Sequence, residues 1–182
     1  MFEYSRRRAS RLNRNFRRDT RGSLAIEFAA VSLPFLMLLF GTIAAGLYYF
    51  TTFSLENAVE QASRQIRTGQ AQLANMTTDQ FKTEVCTRAT SILDCNQYLR
   101  VNVIQYTSFA SVAPPSCLDT NGDLIPDPAN GAVPGSAEEV VLVVACYEWT
   151  LAGLLPFLKL GKMANGSAMI QAATTFRTEP FS

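Results

Sequence analysis

Between Phe28 and Phe53 the chain carries no Asp, Glu, Lys or Arg. As a helix rising about 1.5 Å per residue, that run spans roughly 39 Å, enough to cross the hydrocarbon core of a bilayer with some tilt. In lipid a backbone must satisfy its own hydrogen bonds, so the run predicts a single membrane-spanning helix. Eight arginines lie directly before it (Arg6, Arg7, Arg8, Arg11, Arg14, Arg17, Arg18 and Arg21), and the next basic residue is Arg64. Positive charge concentrated on one flank holds the N-terminus on the cytoplasmic side and sends the rest of the chain across. The formal net charge of +1 conceals this split, because half of the 16 basic residues fall in the first 21 positions.

The arginine cluster has neither aromatic interleaving nor a binding fold around it, so nucleic acid is not an expected partner. An ordinary secretory signal is disfavoured as well. Its apolar region runs to about 7–15 residues and ends at an A-x-A-like site, whereas this run is longer and has no such site. Residues 1–22 read as a basic cytoplasmic leader, 23–53 as the transmembrane helix, 54–69 as an amphipathic extension of the same helix, and 70–182 as a head on the far side.

One charge at the mouth of the span requires a reason. Glu27 is the only ionised side chain between Gly22 and Leu55, and a carboxylate in a membrane helix costs about 3 kcal/mol unless it reaches water or a partner. The local string Arg21-Gly22-Ser23-Leu24-Ala25-Ile26-Glu27-Phe28 resembles the prepilin cleavage motif of type IV pilins. That resemblance implies cleavage after Gly22 by a prepilin peptidase, which makes Ser23 the first mature residue and Glu27 the fifth. The chemistry of the spacing is coherent. Cleavage creates an α-amine with a pKa of about 7.7–8.0 on Ser23, and Glu27, four residues on, shares its helical face. The carboxylate can then pair with its own amine or with that of a stacked neighbour, with Phe28 beside it; the alternative is a single glutamate snorkelling to headgroups. Farther along, Gly41 with Ala45 and Thr42 with Gly46 place small residues four apart, which lets another helix approach closely. Pro34 has no N–H for the Ala30 carbonyl and is expected to kink the helix.

Beyond the span the pattern predicts an α+β head. Leu55, Val59, Ala62 and Ile66 form a stripe at helical spacing, and Gly69 is a stop signal. Met76–Leu93 reads as a second helix, with Thr77 and Gln80 as a capping box, Met76 and Phe81 as a hydrophobic staple, and Phe81, Val85, Ala89, Ile92 and Leu93 as its apolar face. Tyr98–Phe109 alternates as a strand, Ala113–Ser136 is a proline-rich loop, Glu139–Trp149 is a more buried strand, and Ser167–Arg177 is a third. Residues 151–161 are apolar, too short to span, and broken by Pro156; they read as a helix or loop packed on the head or on the membrane surface. The fold class is therefore a long N-terminal transmembrane helix continuing into a small disulfide-bonded head with a short antiparallel sheet, a pilin-like lollipop.

Four cysteines, Cys86, Cys95, Cys117 and Cys146, all lie past the span. An even number in an oxidising compartment favours two disulfides, with three connectivities open. Cys86–Cys95 with Cys117–Cys146 is the favoured pairing, since a short return after the second helix brings the first two together. Zinc is the alternative, disfavoured by the lack of a Cys-x-x-Cys pair.

With these elements in place the chain resembles the TadE-like pseudopilins of the Flp, or tight-adherence (Tad), pilus. The shared features are the Arg-rich leader, Gly22 followed by Glu27-Phe28, the Pro34-containing span, Leu55-Glu56-Asn57-Ala58, a cysteine-bearing β-rich head, and the ending Arg177-Thr178-Glu179-Pro180. The resemblance implies a pseudopilin or minor pilin of the bacterial inner membrane, N-terminus cytoplasmic and head periplasmic, able to enter an extracellular pilus. Its implied partners are the membrane, a prepilin peptidase, other pilin-like subunits and the Tad assembly platform. The alternative is an uncleaved single-span protein with a periplasmic binding or sensor head. No enzyme is expected. There is no histidine, no Ser-x-x-Lys, no phosphate-cradling glycine loop and no evident carboxylate pair. No cofactor is implied, with one exception to test. Asp119, Asn121, Asp123 and Asp127 alternate as in an EF-hand-like loop and suggest Ca2+, although Leu124 stands where such loops need glycine and Asn130 where they need a bidentate Glu. A solvated turn-rich loop accounts for the same composition.

Overall fold

The computed structural model describes residues 22–89, 93–154 and 161–181. Ser23–Arg67 form one 45-residue helix, α1, which continues through Pro34. Hydroxyls along its apolar part are satisfied on the helix's own carbonyls, with Thr42 donating to Leu39 at 2.8 Å, Thr51 to Leu47 at 2.8 Å and Thr52 to Tyr48 at 2.9 Å. Such back-bonding hides a polar group where no outside partner exists. Arg64 and Arg67 occupy the last turn, where cations complement the helix dipole. Gly69 then turns the chain with φ of 78°, its amide donating to the Ile66 carbonyl at 3.1 Å. A side chain there would be strained twice, since a Cβ would also lie 2.3 Å from Cγ of Phe181.

The chain divides into two compact units, one up to Ile43 and one from Ala44 to Ser182. The division falls inside the charge-free run. Residues 23–43 are 21 helical positions, about 31 Å long, with large apolar side chains exposed throughout: Leu24 77%, Phe28 74%, Val31 71% and Leu38 68%. By length and composition this helix can cross a membrane.

In the second unit α1 becomes a core element, with Ala44 and Thr51 already buried and Leu55, Ala58, Ala62 and Ile66 wholly so. A short helix α2 (Gln70–Leu73) leads to α3 (Thr78–Arg88). The capping box forms as expected: the Thr77 hydroxyl accepts from the Gln80 amide at 3.3 Å, and the Gln80 side chain accepts from the Thr77 amide at 2.9 Å. Phe81 and Val85 are fully buried, and Met76 packs against the same core cluster.

α3 is shorter than the periodicity predicted. It ends at Arg88, and Ala89 is extended at φ −74°, ψ 159°; Leu93 is buried but non-helical, and Ile92 lies outside the described residues. The disulfide supplies the reason. Cys86 and Cys95 are bonded with Cα atoms 5.8 Å apart, whereas nine further helical residues would separate them by about 13 Å. The helix therefore cannot run on to Cys95, which opens the short helix α4 (Cys95–Tyr98).

Three strands complete the unit: β1 (Leu99–Tyr106), β2 (Val140–Trp149) and β3 (Ala168–Arg177), antiparallel in the order β1-β2-β3. Val103 opposes Val143, which in turn opposes Thr174. On one face Val101, Val103, Val141, Val143, Ala145, Ile170 and Ala172 join the cluster that holds Leu55, Val59, Ala62, Phe81 and Val85. On the other, Leu142 and Val144 pack with Cys117, flanked by Val112, Leu124 and Met169. This double burial explains the unbroken apolar run of β2, as a central strand covered on both sides requires. The cover on the second face is the long β1–β2 loop, fastened to β2 by the Cys117–Cys146 disulfide, Cα to Cα 5.8 Å. After β2 the chain forms a short 3-10 turn, Thr150–Leu154, with Ala152 buried and Leu151 exposed. The remainder of the 151–161 segment, positions 155–160, lies outside the described residues.

Candidate functional site

The start of α1 holds the residues read as a processing site. Gly22 is exposed immediately before the helix, and nothing lies within 4 Å of where its Cβ would be. Glu27 follows Ser23 by four helical positions and is exposed, as are Leu24, Ile26 and Phe28 around it. The arginine leader before Gly22 lies outside the described residues. Among the small residues of the span, Gly46 has an open face with no atom within 4 Å of a Cβ position, while Gly41 and Ala45 are partly covered. The exposed apolar surface of this helix needs lipid tails or another helix.

The four cysteines are brought together in the two pairs favoured from the sequence, 86–95 and 117–146, and none is free. The proposed calcium residues fare differently. Asp119 closes its own loop: Oδ1 accepts from the amides of Asn121 and Asp123, both at 2.9 Å, and Oδ2 from the Asn121 side chain at 3.3 Å. These bonds, led by that from Asp123, hold the Asp119 carboxyl below its ordinary pKa. Asp127 is committed elsewhere. Its Oδ2 pairs with Lys82 of α3 at 2.7 Å, and its Oδ1 accepts from the Val101 amide of β1 at 3.0 Å. Among the described residues no group of three or more His, Cys, Asp or Glu side chains is arranged to hold a metal ion.

A second polar constellation joins the C-terminal tail to the end of α1, and its role was not apparent from sequence. Arg177 Nε donates to the Glu138 carbonyl at 2.7 Å. The hydroxyl of Thr178, 3% exposed, donates to the Ser136 carbonyl and accepts from the Glu139 amide. The Glu179 amide donates to the Arg67 carbonyl at 2.8 Å, one of the unfilled acceptors at the end of α1, and its carboxylate lies 3.5 Å from Arg67 Nε. Phe181 then packs against Gly69. The Arg-x-Glu-Pro ending therefore works as a strap that satisfies a helix terminus. The signal available in sequence was the pairing of a helix-stop glycine with a distant aromatic, which has no local periodicity to reveal it.

Elsewhere Glu84 accepts from Gln65 at 2.6 Å and pairs with Arg88 one turn on. The Arg88 hydrogen bond is the main cause of a Glu84 carboxyl held below its usual range, and burial opposes it. Burial raises the Tyr147 phenol above its ordinary pKa.

These features define a class: a long apolar helix exposed along its first part and continuing into a disulfide-fastened α+β unit. Residues 22–64 match the family described as TadE-like protein. The similarity is confined to that stretch and begins at Gly22, the residue before the expected cleavage point. No curated protein and no solved structure matches the chain.

Proposed function

We propose that this chain is a non-enzymatic, membrane-embedded pseudopilin or minor pilin taking part in assembly of a Flp-type (Tad) adhesive pilus. The observation that carries the reading is the TadE-like match over residues 22–64, which covers the leader junction, the apolar helix and its continuation. A pilus-associated role is what that family supports. On the finer reading a prepilin peptidase cuts the Gly22–Ser23 bond, and the mature helix stays in the bacterial inner membrane with the C-terminal unit periplasmic. The helix then meets other pilin-like subunits and the assembly platform.

The roles divide by chemistry. Gly22 offers a bond with no side chain to obstruct a protease. Glu27 supplies the countercharge for a new Ser23 amine as subunits come into register, because an unpaired ion in lipid is costly. Gly41, Ala45 and Gly46 lower the steric barrier to a neighbouring helix.

The test is the N-terminal residue of the membrane-inserted product, determined by mass spectrometry with and without a prepilin peptidase. A peptidase-dependent start at Ser23, lost when Gly22 is altered, is the expected result. A start at Met1 beside an active peptidase overturns it in favour of an uncleaved anchored protein. Glu27→Ala is expected to impair pilus assembly more than cleavage; unchanged pilus output would remove the pairing role.

A further inference from the structure

Just past the division between the two units, α1 presents aromatic side chains that the C-terminal unit does not cover: Tyr49 is 68% exposed, Phe50 49% and Phe53 68%. They form one wall of an open groove whose other lining residues are Ser54, Asn57 and Arg88. Rings of this size rarely stand so far out on a protein surface in water, since each leaves a large apolar area hydrated. Their neighbours are also particular. The opposite face of the same helix turns is already core, with Thr51 2% and Leu55 0% exposed, so these rings cannot fold inward. Arg88 lines the groove while its ion-pair partner Glu84 does not. A guanidinium has five N–H donors, and Glu84 engages only one of its terminal nitrogens, Nη1.

The geometry points to a phospholipid headgroup as the occupant of this groove. This rests on the reading of residues 23–53 as the transmembrane helix, with hydrocarbon around the exposed 23–43 part, because the groove-forming rings lie at the far end of that run, within about three turns of Ile43. Tyrosine, an apolar ring with a polar tip, is enriched at the level where acyl chains give way to headgroups, and the wholly apolar rings of Phe50 and Phe53 suit the acyl side of that level. Here Tyr49, Phe50 and Phe53 occupy the acyl–headgroup boundary, and Arg88 reaches the phosphodiester with the nitrogens that Glu84 leaves available. Asn57 is consistent with this placement. Its side-chain amide donates to the Phe53 carbonyl at 2.8 Å, which leaves its oxygen for the hydrated headgroup layer.

The test uses the full chain reconstituted in vesicles of phosphatidylethanolamine and phosphatidylglycerol, with a tryptophan reporter at Phe53→Trp. Native Trp149, the chain's one tryptophan, is 3% exposed and supplies a constant background. A headgroup-nitroxide lipid is expected to remove most of the reporter's emission, and a lipid brominated at the chain end much less. A Leu33→Trp control is expected to show the reverse order. If the control is quenched by the chain-end label and the Phe53 reporter by neither, the headgroup site is overturned while the span stands. If neither reporter responds, the span itself falls and the groove proposal with it. Adding Arg88→Gln to the reporter chain is expected to weaken headgroup quenching with the near-ultraviolet dichroism of Trp149 unchanged. Undiminished quenching in that folded variant would overturn the phosphodiester contact.

Discussion

The first and second halves of α1 are one uninterrupted helix with two different surfaces. From Leu24 to Ile43 its large side chains face outward, with Leu33 58%, Phe35 61% and Leu38 68% exposed; from Thr51 to Ile66 the inward positions Leu55, Ala58, Val59, Ala62 and Ile66 are at most 1% exposed. The residues differ accordingly. The first half is rich in Leu and Phe all round, a surface suited to hydrocarbon. The second narrows to a stripe with alanines at its centre and Glu56, Glu60 and Arg64 off it. The inward side chains of this half share one buried cluster with Val141, Val143, Ala145 and Ala172 of the sheet. Helix continuity therefore does not imply continuity of environment.

Leucine truncation breaks or upholds this comparison most directly. Leu55→Ala is expected to cost about 2–5 kcal/mol of unfolding free energy for the C-terminal unit, the range for a buried leucine. Leu38→Ala should change the same quantity by about 0.5 kcal/mol or less. Denaturant unfolding in detergent, followed by the near-ultraviolet signal of Trp149, measures both; equal effects would mean that the halves are not energetically distinct.

The disulfides sharpen the second half of the comparison. With sequence separations of 29 and 9, loop-closure entropy assigns about 3.6 kcal/mol to Cys117–Cys146 and about 2.7 kcal/mol to Cys86–Cys95. Paired Cys→Ala replacements should follow that order by the same assay. The larger loss is expected with the bond that holds the long loop over Leu142 and Val144.

Gly69→Ala comes next, at about 1–3 kcal/mol, because it combines left-handed backbone strain with a clash against Phe181. Adding Phe181→Ala should relieve the clash and leave about 1 kcal/mol of backbone cost. A double-mutant cycle in the same unfolding assay tests this; strict additivity would show that the C-terminal strap does not bear on the end of α1.

The smallest effect concerns pH. The Glu84 carboxyl is held below its usual range chiefly by Arg88. A depressed carboxylate pKa contributes stability that is present above the unfolded value, about 4.3, and is lost as pH falls through the folded value. Both side chains are about a third exposed or somewhat less, 27% for Arg88 and 30% for Glu84, so the contribution is at most about 1 kcal/mol. Unfolding titrations of Glu84→Gln should show a shallower acid-side fall than the parent chain. An identical profile would leave this pair without a thermodynamic role.

Much of this was legible in local pattern. The Leu55-Val59-Ala62-Ile66 stripe, the Thr77–Gln80 box and the alternation of Leu99, Val101 and Val103 each state a period and a face, and each forms where its period places it. The favoured cysteine pairing also forms. The Met76–Leu93 helix was over-extended because the periodicity of Ala89 and Leu93 says nothing of a covalent link at Cys86. In the Asp119 loop the alternating oxygens are a sequence fact, whereas the bonds of Asp127 to Lys82 and to the Val101 amide appear only in the structure. The Arg177–Phe181 strap carried no period at all. At the leader junction the residue types and spacing are sequence facts, whereas the chemistry awaits the N-terminal measurement.

The sequence by itself determined that a charge-free helix must follow a basic flank, that its far part turns one apolar stripe inward, and that three extended segments follow, because these depend on the period of side chains along a backbone. Only the tertiary structure decided where α1 passes into the C-terminal unit, which loop covers the second face of β2, and that the last residues return to cap Arg67 and Gly69. Those outcomes depend on pairs of residues far apart in the chain. Their energies come from shape, burial and hydrogen bonds that exist only once both partners have been brought together.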